Sequence, residues 1–192
     1  MSRGQAARFA THQPADLGAP VIEVERPGSG DFAHGFDETV IGKSSQFAWR
    51  NRFKESITLD RSFNSGQQAL QALIAAADFF VQNLAPGAAE RRGLGPAPLR
   101  AKHRGLIHVS ISGHGPGGPF TAKKAYDLLV QYEAGLVPIT GSADEPAKVG
   151  ISVADIAAGM SAYTGVLTAL LPKGQTGEGD RGDLHAGSPR RP

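Results

Sequence analysis

The stretch KVGISVADIAAGMSAYTGVLTALL, residues 148–171, decides how the chain is read. Its opening residues Val149, Ile151 and Val153 alternate with small or polar ones, the period-2 pattern of a half-buried strand or extended segment. From Ile156 the spacing changes. Ile156, Met160, Tyr163, Leu167 and Leu170 recur three and four residues apart and line one face of a helix. Ala157, Ala158, Gly159, Ala162 and Gly165 are small, so other backbone can approach this helix closely. Asp155 stands at the switch, where the helix is expected to begin. It has two readings. As an N-cap it would accept hydrogen bonds from the free N–H groups of the first turn, the reading that spacing alone favours. As a nucleophile it would use an ionised carboxylate, which the electropositive start of a helix stabilises by ~0.3–1 kcal/mol. The two roles are compatible, and spacing does not choose between them.

Working outward, 192 residues suit one domain with a hydrophobic core of ordinary size. Hydrophobic residues make up 40% and charged ones 20%, a globular rather than a disordered balance. The 25 glycines and 13 prolines predict many turns. A net charge of +2 suits a few cations holding a phosphorylated ligand, and no interleaving of basic and aromatic residues points to nucleic acid. With no cysteine, disulfides, thiolate metal sites and a cysteine nucleophile are excluded. No apolar run approaches the length of a membrane span. Residues 1–13 carry basic side chains without the apolar core of a secretory signal. Neither nucleic acid nor a membrane is expected as a partner, and the cytoplasm is the expected location.

Residues 10–17 fit a helix crossed by Pro14, and 21–24 fit a strand running into the turn ERPGSGD. Residues 32–46 show no period, and 47–52 lead into a short strand at 56–59. Leu70, Leu73, Ile74 and Ala77 mark one face of a helix over 67–77, and FFVQNL (79–84) reads as a buried strand. Strand, helix, strand in this rhythm predicts a βαβ unit with a parallel sheet. The loop at a strand's C-terminal end is where open α/β sheets place ligands. A further strand, 106–112, precedes GHGPGGP. Gly113, Gly115 and Gly118 satisfy GxGxxG, but Pro116 and Pro119 do not suit a turn whose N–H groups must reach a pyrophosphate, so NAD binding is rejected. His103, His108 and His114 have no accompanying carboxylate cluster, so no metal site is expected. The RGD at 181–183 reads as a chance tripeptide in a polar stretch.

The segments VIEVERPGSGD (21–31), NRFKESITLD (51–60), FVQNLAPGAAERRGLG (80–95), SISGHGPGGP (110–119) and KKAYDLLVQYEAGL (123–136) precede KVGISVADIAAGM in that order. Together they closely resemble the N-terminal half of the family III CoA-transferases, which include formyl-CoA transferase and the α-methylacyl-CoA racemases. The resemblance implies an α/β fold: the Rossmann-like parallel-sheet domain of that family, truncated at both ends, over residues 1–179. Residues 180–192 are expected to form a polar, disordered tail. Full family members continue into a second domain and form dimers of interlinked chains; for a chain this short the homodimer is left open.

The resemblance also implies an acyl relay in which coenzyme A is a substrate and no metal takes part. Asp155 would attack an acyl-CoA, pass through an aspartyl-CoA thioester, and hand CoA to an acceptor acid, a small dicarboxylic acid being the candidate. Backbone N–H groups near Asp155 would serve the developing oxyanion. Gln5 corresponds to a Gln that contacts the reacting acyl group, although Arg8 stands where a Pro is usual. Arg26 of ERPG would hold the nucleotide end of CoA, as a guanidinium fork suits phosphate. Leu59 would lie on the adenine side; Asn83, Leu84 and Arg91 would line the CoA site; Lys124 would pair with a phosphate and Tyr126 would sit beside it. A family Lys three residues after Leu59 is Ser62 here, with Arg61 adjacent. Racemases carry a His at the position of Tyr126, and a phenol is a poor base for exchanging an α-proton, so racemase activity is disfavoured. The remaining alternative is a truncated fragment without catalysis that retains some CoA binding.

Overall fold

A computed structural model describes residues 5–178 of the chain. The polar segment 180–192 and its RGD lie outside the described residues. Helix α1 (Ala6–Asp16) comes first, starting ahead of the expected residue 10. Pro14 falls inside it, close enough to its C-terminal end that the lost hydrogen bond is confined to the last turns. Strand β1 (Ile22–Glu25) follows. The segment expected to be irregular contains a 3-10 turn at Phe32–Gly35 and then helix α2 (Ser45–Asn51). The Ser44 hydroxyl caps α2 by accepting from the Phe47 N–H at 3.3 Å. After α2 come β2 (Glu55–Thr58), α3 (Asn64–Ala76), β3 (Phe79–Gln82), α4 (Pro96–Lys102), β4 (Ile107–Ser110) and α5 (Asp127–Glu133). The last element is α6 (Val153–Thr176), ended by Gly177 in the left-handed conformation.

The strands pair in parallel as expected, but not in the expected order. β1 pairs with β2, with Ile22 opposite Glu55, and β3 pairs with β4, with Phe79 opposite Ile107. The β2–α3–β3 unit read from the sequence does not close a ladder: β2 and β3 belong to different two-stranded sheets. The crossovers instead run through α2 and through α4. Periodicity identifies strands but carries no information on which neighbour each one bonds.

Two cores result. Leu70 and Ile74 of α3 pack with Ala89, Leu94, Leu99 of α4 and Leu106, joined by Val24, Leu59, Phe80 and Leu84. The other core places Ala6, Ala7 and Ala10 of α1 against Ile107, Val109 and Ile111 and against Ala162, Val166 and Ala169 of α6. Here the expected face of α6 is corrected in part: Leu170 packs against this core and Ile156 and Tyr163 are half-buried, but two of its members turn outward. Met160 is 55% and Leu167 42% exposed, while Gly159, Ala162, Val166 and Ala169 are buried. The cause is close approach. A Cβ at Gly159 would lie 2.8 Å from the Ala6 carbonyl oxygen and 3.0 Å from Phe9 Cβ, so only the small-residue stripe lets α1 lie against α6.

No strand forms at residues 149–153; Val153 is already helical, and Asp155 is the third residue of α6 rather than its cap. By length and composition α6 is apolar enough to cross a bilayer, contrary to the expectation from the sequence. Ala162, Val166 and Ala169 serve as core against α1 and β4, while Met160, Leu167 and Leu171 are exposed.

Candidate active site

Ser152 occupies the N-cap of α6 but its side chain makes no capping bond. Asp127, at the start of α5, caps in its place. Its Oδ1 accepts from the N–H groups of Ala154 at 2.8 Å and Asp155 at 3.1 Å. Its Oδ2 accepts from Gln131 Nε2 at 2.6 Å, and Gln131 Oε1 accepts from the Val149 N–H at 3.1 Å. A single carboxylate and one buried amide therefore fix the first turn of α6 and the approach to it. Asp127 stands next to a residue singled out from the sequence, yet its role was not legible. An Asp opening a helix reads as a cap for that helix, not for one starting 26 residues on (153 minus 127).

Asp155 then meets the start of α1. The Gln5 N–H, at the N-cap of α1, donates to Asp155 Oδ2 at 3.2 Å. Contacts advance together along both helices, Gln5 with Asp155 and Ala6 and Phe9 with Gly159, so α1 and α6 run parallel with both positive ends at one carboxylate. Burial nevertheless raises the Asp155 pKa, and the Asp127 charge adds to the rise; the Gln5 N–H bond and the Arg50 and Arg8 cations oppose it. A small concavity of about 140 Å³ lies beside this turn, lined by Asp127, Gln131, Lys148 and residues 149–152. The larger one, about 380 Å³ against Ala15, Gly18 and Phe53, lies at the other end of α1, away from the carboxylate.

Three arginines show what the sequence hid. Arg8, at a position where a Pro is usual, is buried: its Nε donates to Asp31 Oδ2 at 2.6 Å, its Nη2 pairs with the same carboxylate, and its guanidinium lies 4.9 Å from the Phe32 ring centroid. This clamp ties α1 to the loop that carries Arg26. Arg52 binds both carboxylate oxygens of Asp16. Arg50, from α2, is only 4% exposed, and its buried Nε and Nη1 hydrogen-bond no described residue. Within an apolar run such as FAWR, no sequence signal separates an exposed Arg from a buried one.

Of the residues expected from the sequence, Gln5 and Asp155 are brought together. Leu59 and Leu84, which follow β2 and β3, pack in one cluster, with Asn83 beside Leu84. Arg26 lies exposed after β1, its Nε donating to the Gly30 carbonyl at 3.2 Å. Arg91 lies in the 3-10 turn Glu90–Arg92, exposed, and Lys124 is exposed just before α5; neither makes a side-chain hydrogen bond or ion pair among the described residues. Tyr126 is the N-cap of α5 and 47% exposed. Arg26, Leu59, Asn83 and Leu84 follow directly on β1, β2 and β3, Arg91 comes later in the segment after β3, and Lys124 and Tyr126 stand at the start of α5. Residues 113–118 do not run into a helix, since the next one starts at Asp127, so the context of a dinucleotide fingerprint is missing. Among the described residues no group of three or more His, Cys, Asp and Glu side chains is placed to hold a metal.

The backbone donors expected for an oxyanion are engaged. The Ala154 and Asp155 N–H groups serve Asp127, and the Ile156 N–H bonds the Ser152 carbonyl at 2.9 Å.

The chain is 35% identical over 181 residues to human succinyl-CoA:glutarate CoA-transferase, covering 93% of this chain and 41% of that one. It is 37% identical over 179 residues to formyl-CoA:oxalate CoA-transferase of Afipia carboxidovorans, covering 92% and 42%. The chain thus spans about two fifths of the length of these curated relatives. Among solved structures, a CAIB/BAIF family protein from Brucella suis superposes with a TM-score of 0.87 at 32% identity, over 96% of this chain and 49% of that one. Residues 1–185 match the sequence pattern of CoA-transferase family III, and with that fold in common the chain belongs to this family.

Proposed function

We propose that this chain carries the nucleophilic half of an acyl-CoA:carboxylate CoA-transferase, with Asp155 as the nucleophile. The observation that carries the reading is a largely buried carboxylate where two helices start, bonded by the Gln5 N–H of α1 and carried on a turn of α6 whose Ala154 and Asp155 N–H groups are fixed by Asp127. An Asp that only capped α6 would sit at Ser152 and accept from its N–H groups; Asp155 does neither. Attack of the Asp155 carboxylate on an acyl-CoA thioester gives a mixed anhydride and CoA thiolate. The thiolate attacks the aspartyl carbonyl, forming an aspartyl-CoA thioester and releasing the donor acid. An acceptor carboxylate attacks that thioester, expelling thiolate again, and the thiolate takes the acceptor's acyl carbon, which restores Asp155.

Arg26, Asn83, Arg91 and Lys124 would anchor CoA, Arg26 and Lys124 through its phosphates, with Leu59 on the adenine side, Leu84 lining the site and Tyr126 beside Lys124. Binding energy from this remote part of the substrate would orient the thioester toward Asp155. The named substrates of the relatives favour small dicarboxylic acids as acceptors. Racemase chemistry is disfavoured because Tyr126 offers a phenol, half exposed at the start of α5, where a base would be needed. The test is transfer from succinyl-CoA to glutarate or oxalate. Asp155→Ala and Asp155→Asn are expected to lose it by at least a thousandfold, and turnover that survives either change refutes the assignment. A second reading, a chain that binds CoA without turnover, is favoured by the apolar surface left open on α5 and α6, where Leu128, Leu129, Tyr132 and Leu171 are exposed.

A further inference from the structure

We propose that Glu25 is the positioning residue for Arg26: its side chain closes the loop 26–31 into one shape and so presents the guanidinium to the phosphates of CoA. The inference rests on the reading of Arg26 as a CoA ligand and adds the group that holds it. Glu25 ends β1, and its side chain is 10% exposed. Its Oε2 accepts from the Asp31 N–H at 2.8 Å, across six residues, and meets His34 Nε2 at 3.2 Å. Its Oε1 accepts from Ser56 Oγ of β2 at 2.7 Å. One carboxylate therefore joins the two ends of the loop, the 3-10 turn that follows it and the neighbouring strand.

The loop is folded directly onto that carboxylate. A Cβ at Gly30, whose φ is +55°, would lie 2.6 Å from Glu25 Oε2 and 3.3 Å from the His34 ring. The Gly30 carbonyl in turn accepts from Arg26 Nε at 3.2 Å, and the terminal nitrogens of Arg26 make no bond to a described residue. Contacts thus pass from Glu25 to Gly30 and Asp31, and from Gly30 to Arg26. They leave the end of the guanidinium fork open to a phosphate. Leu59 is fixed at the same strand end, since its N–H donates to the Glu25 carbonyl at 3.0 Å, so both residues read as serving the nucleotide end of CoA leave the sheet at one point. An anion so near a phosphate ligand needs donors of its own. Burial would raise the Glu25 carboxyl, but the bonds from Ser56, the Asp31 N–H and His34 outweigh it and hold it below the usual carboxylate range. The Asp31 carboxylate is held separately by Arg8, so the far end of the loop stays anchored when Glu25 is changed.

A double-mutant cycle in CoA binding, read by calorimetric titration of the chain, is the test. Arg26→Ala is expected to weaken binding about tenfold, the loss of a charge-assisted pair. Glu25→Ala should weaken it about three- to tenfold with Arg26 present and less than about twofold in the Arg26→Ala background, because it acts through Arg26. Glu25→Gln, which keeps a side-chain oxygen for the Asp31 N–H, should recover most of the loss. Circular dichroism melting establishes that each variant is folded, and His34→Ala, which removes a bond made by a half-exposed ring, repeats the cycle if Glu25→Ala is not. A Glu25→Ala loss of equal size in both backgrounds, or no loss where Arg26→Ala shows one, overturns the proposal and leaves Arg26 as a ligand. Folded wild type that binds no CoA, or binding unchanged by Arg26→Ala, overturns the reading of Arg26 and the proposal with it.

Discussion

Asp155 holds its charge in a place that disfavours it, since burial outweighs the helix ends, the Gln5 bond and the nearby cations and raises its pKa. The sign of the consequence for stability follows. Between the ordinary carboxylate range and the raised value, the folded state holds more protons than the unfolded one, so this group makes stability fall as pH rises through that window. Asp155→Asn removes the fall. It is therefore expected to melt at a higher temperature than wild type at neutral pH while losing acyl transfer, as measured by thermal denaturation at several pH values. A variant that is both inactive and less stable at neutral pH would argue that Asp155 is chiefly structural. At this scale the sequence was informative about identity and silent about surroundings. The family motifs point to Asp155 and Gln5, whereas Asp127 became visible only once folding set it against the first turn of α6, because its partners are distant in sequence.

Elements bring those residues into register, and two contacts matter most. Asp127 ties α5 to the first turn of α6. Asp127→Ala is expected to cost about 1–2 kcal/mol in denaturant unfolding, the loss of a capping carboxylate, and to lower transfer by freeing the Asp155 turn. Gly159 lets α1 lie on α6, and Gly159→Ala would press a methyl onto Ala6 and Phe9. In an exposed helix this change stabilises by about 1 kcal/mol; here the expected effect has the opposite sign, a loss of about 1–3 kcal/mol from overpacking. It would also displace Gln5. Reading α6 by its large apolar residues placed Leu170 correctly but turned Met160 and Leu167 inward, because hydrophobic periodicity ranks them above Gly159 and Ala162. The small-residue stripe was equally visible in the sequence, and close helix packing gives it priority. Strand positions were legible to within a residue or two, while their pairing was not, since it depends on which crossover packs on which face.

Across the whole molecule, a polar cluster joins α1, the loop after β1, and the segment before β2. Glu23 and Lys54 face each other at 4.0 Å beside Arg8 and Asp31, and Lys54 also donates to Asn51 Oδ1 at 2.7 Å. Burial lowers the Lys54 pKa from 10.5 to about 8 and raises that of Glu23. Above pH 8 the folded state has released a proton that the unfolded state keeps until about pH 10.5, so stability rises with pH across that interval. Lys54→Met should flatten this rise in chemical denaturation at pH 8 and pH 10; an unchanged slope would place Lys54 in contact with water. Together the two parallel strand pairs, the α1–α6 packing and this cluster hold one carboxylate at the meeting of two helix starts. Intact-mass and peptide mass spectrometry after incubation with succinyl-CoA and hydroxylamine tests that arrangement most directly. A hydroxamate confined to Asp155 and absent from Asp155→Asn is the predicted result. A folded sample with no adduct, or with one that persists in Asp155→Asn, would contradict it.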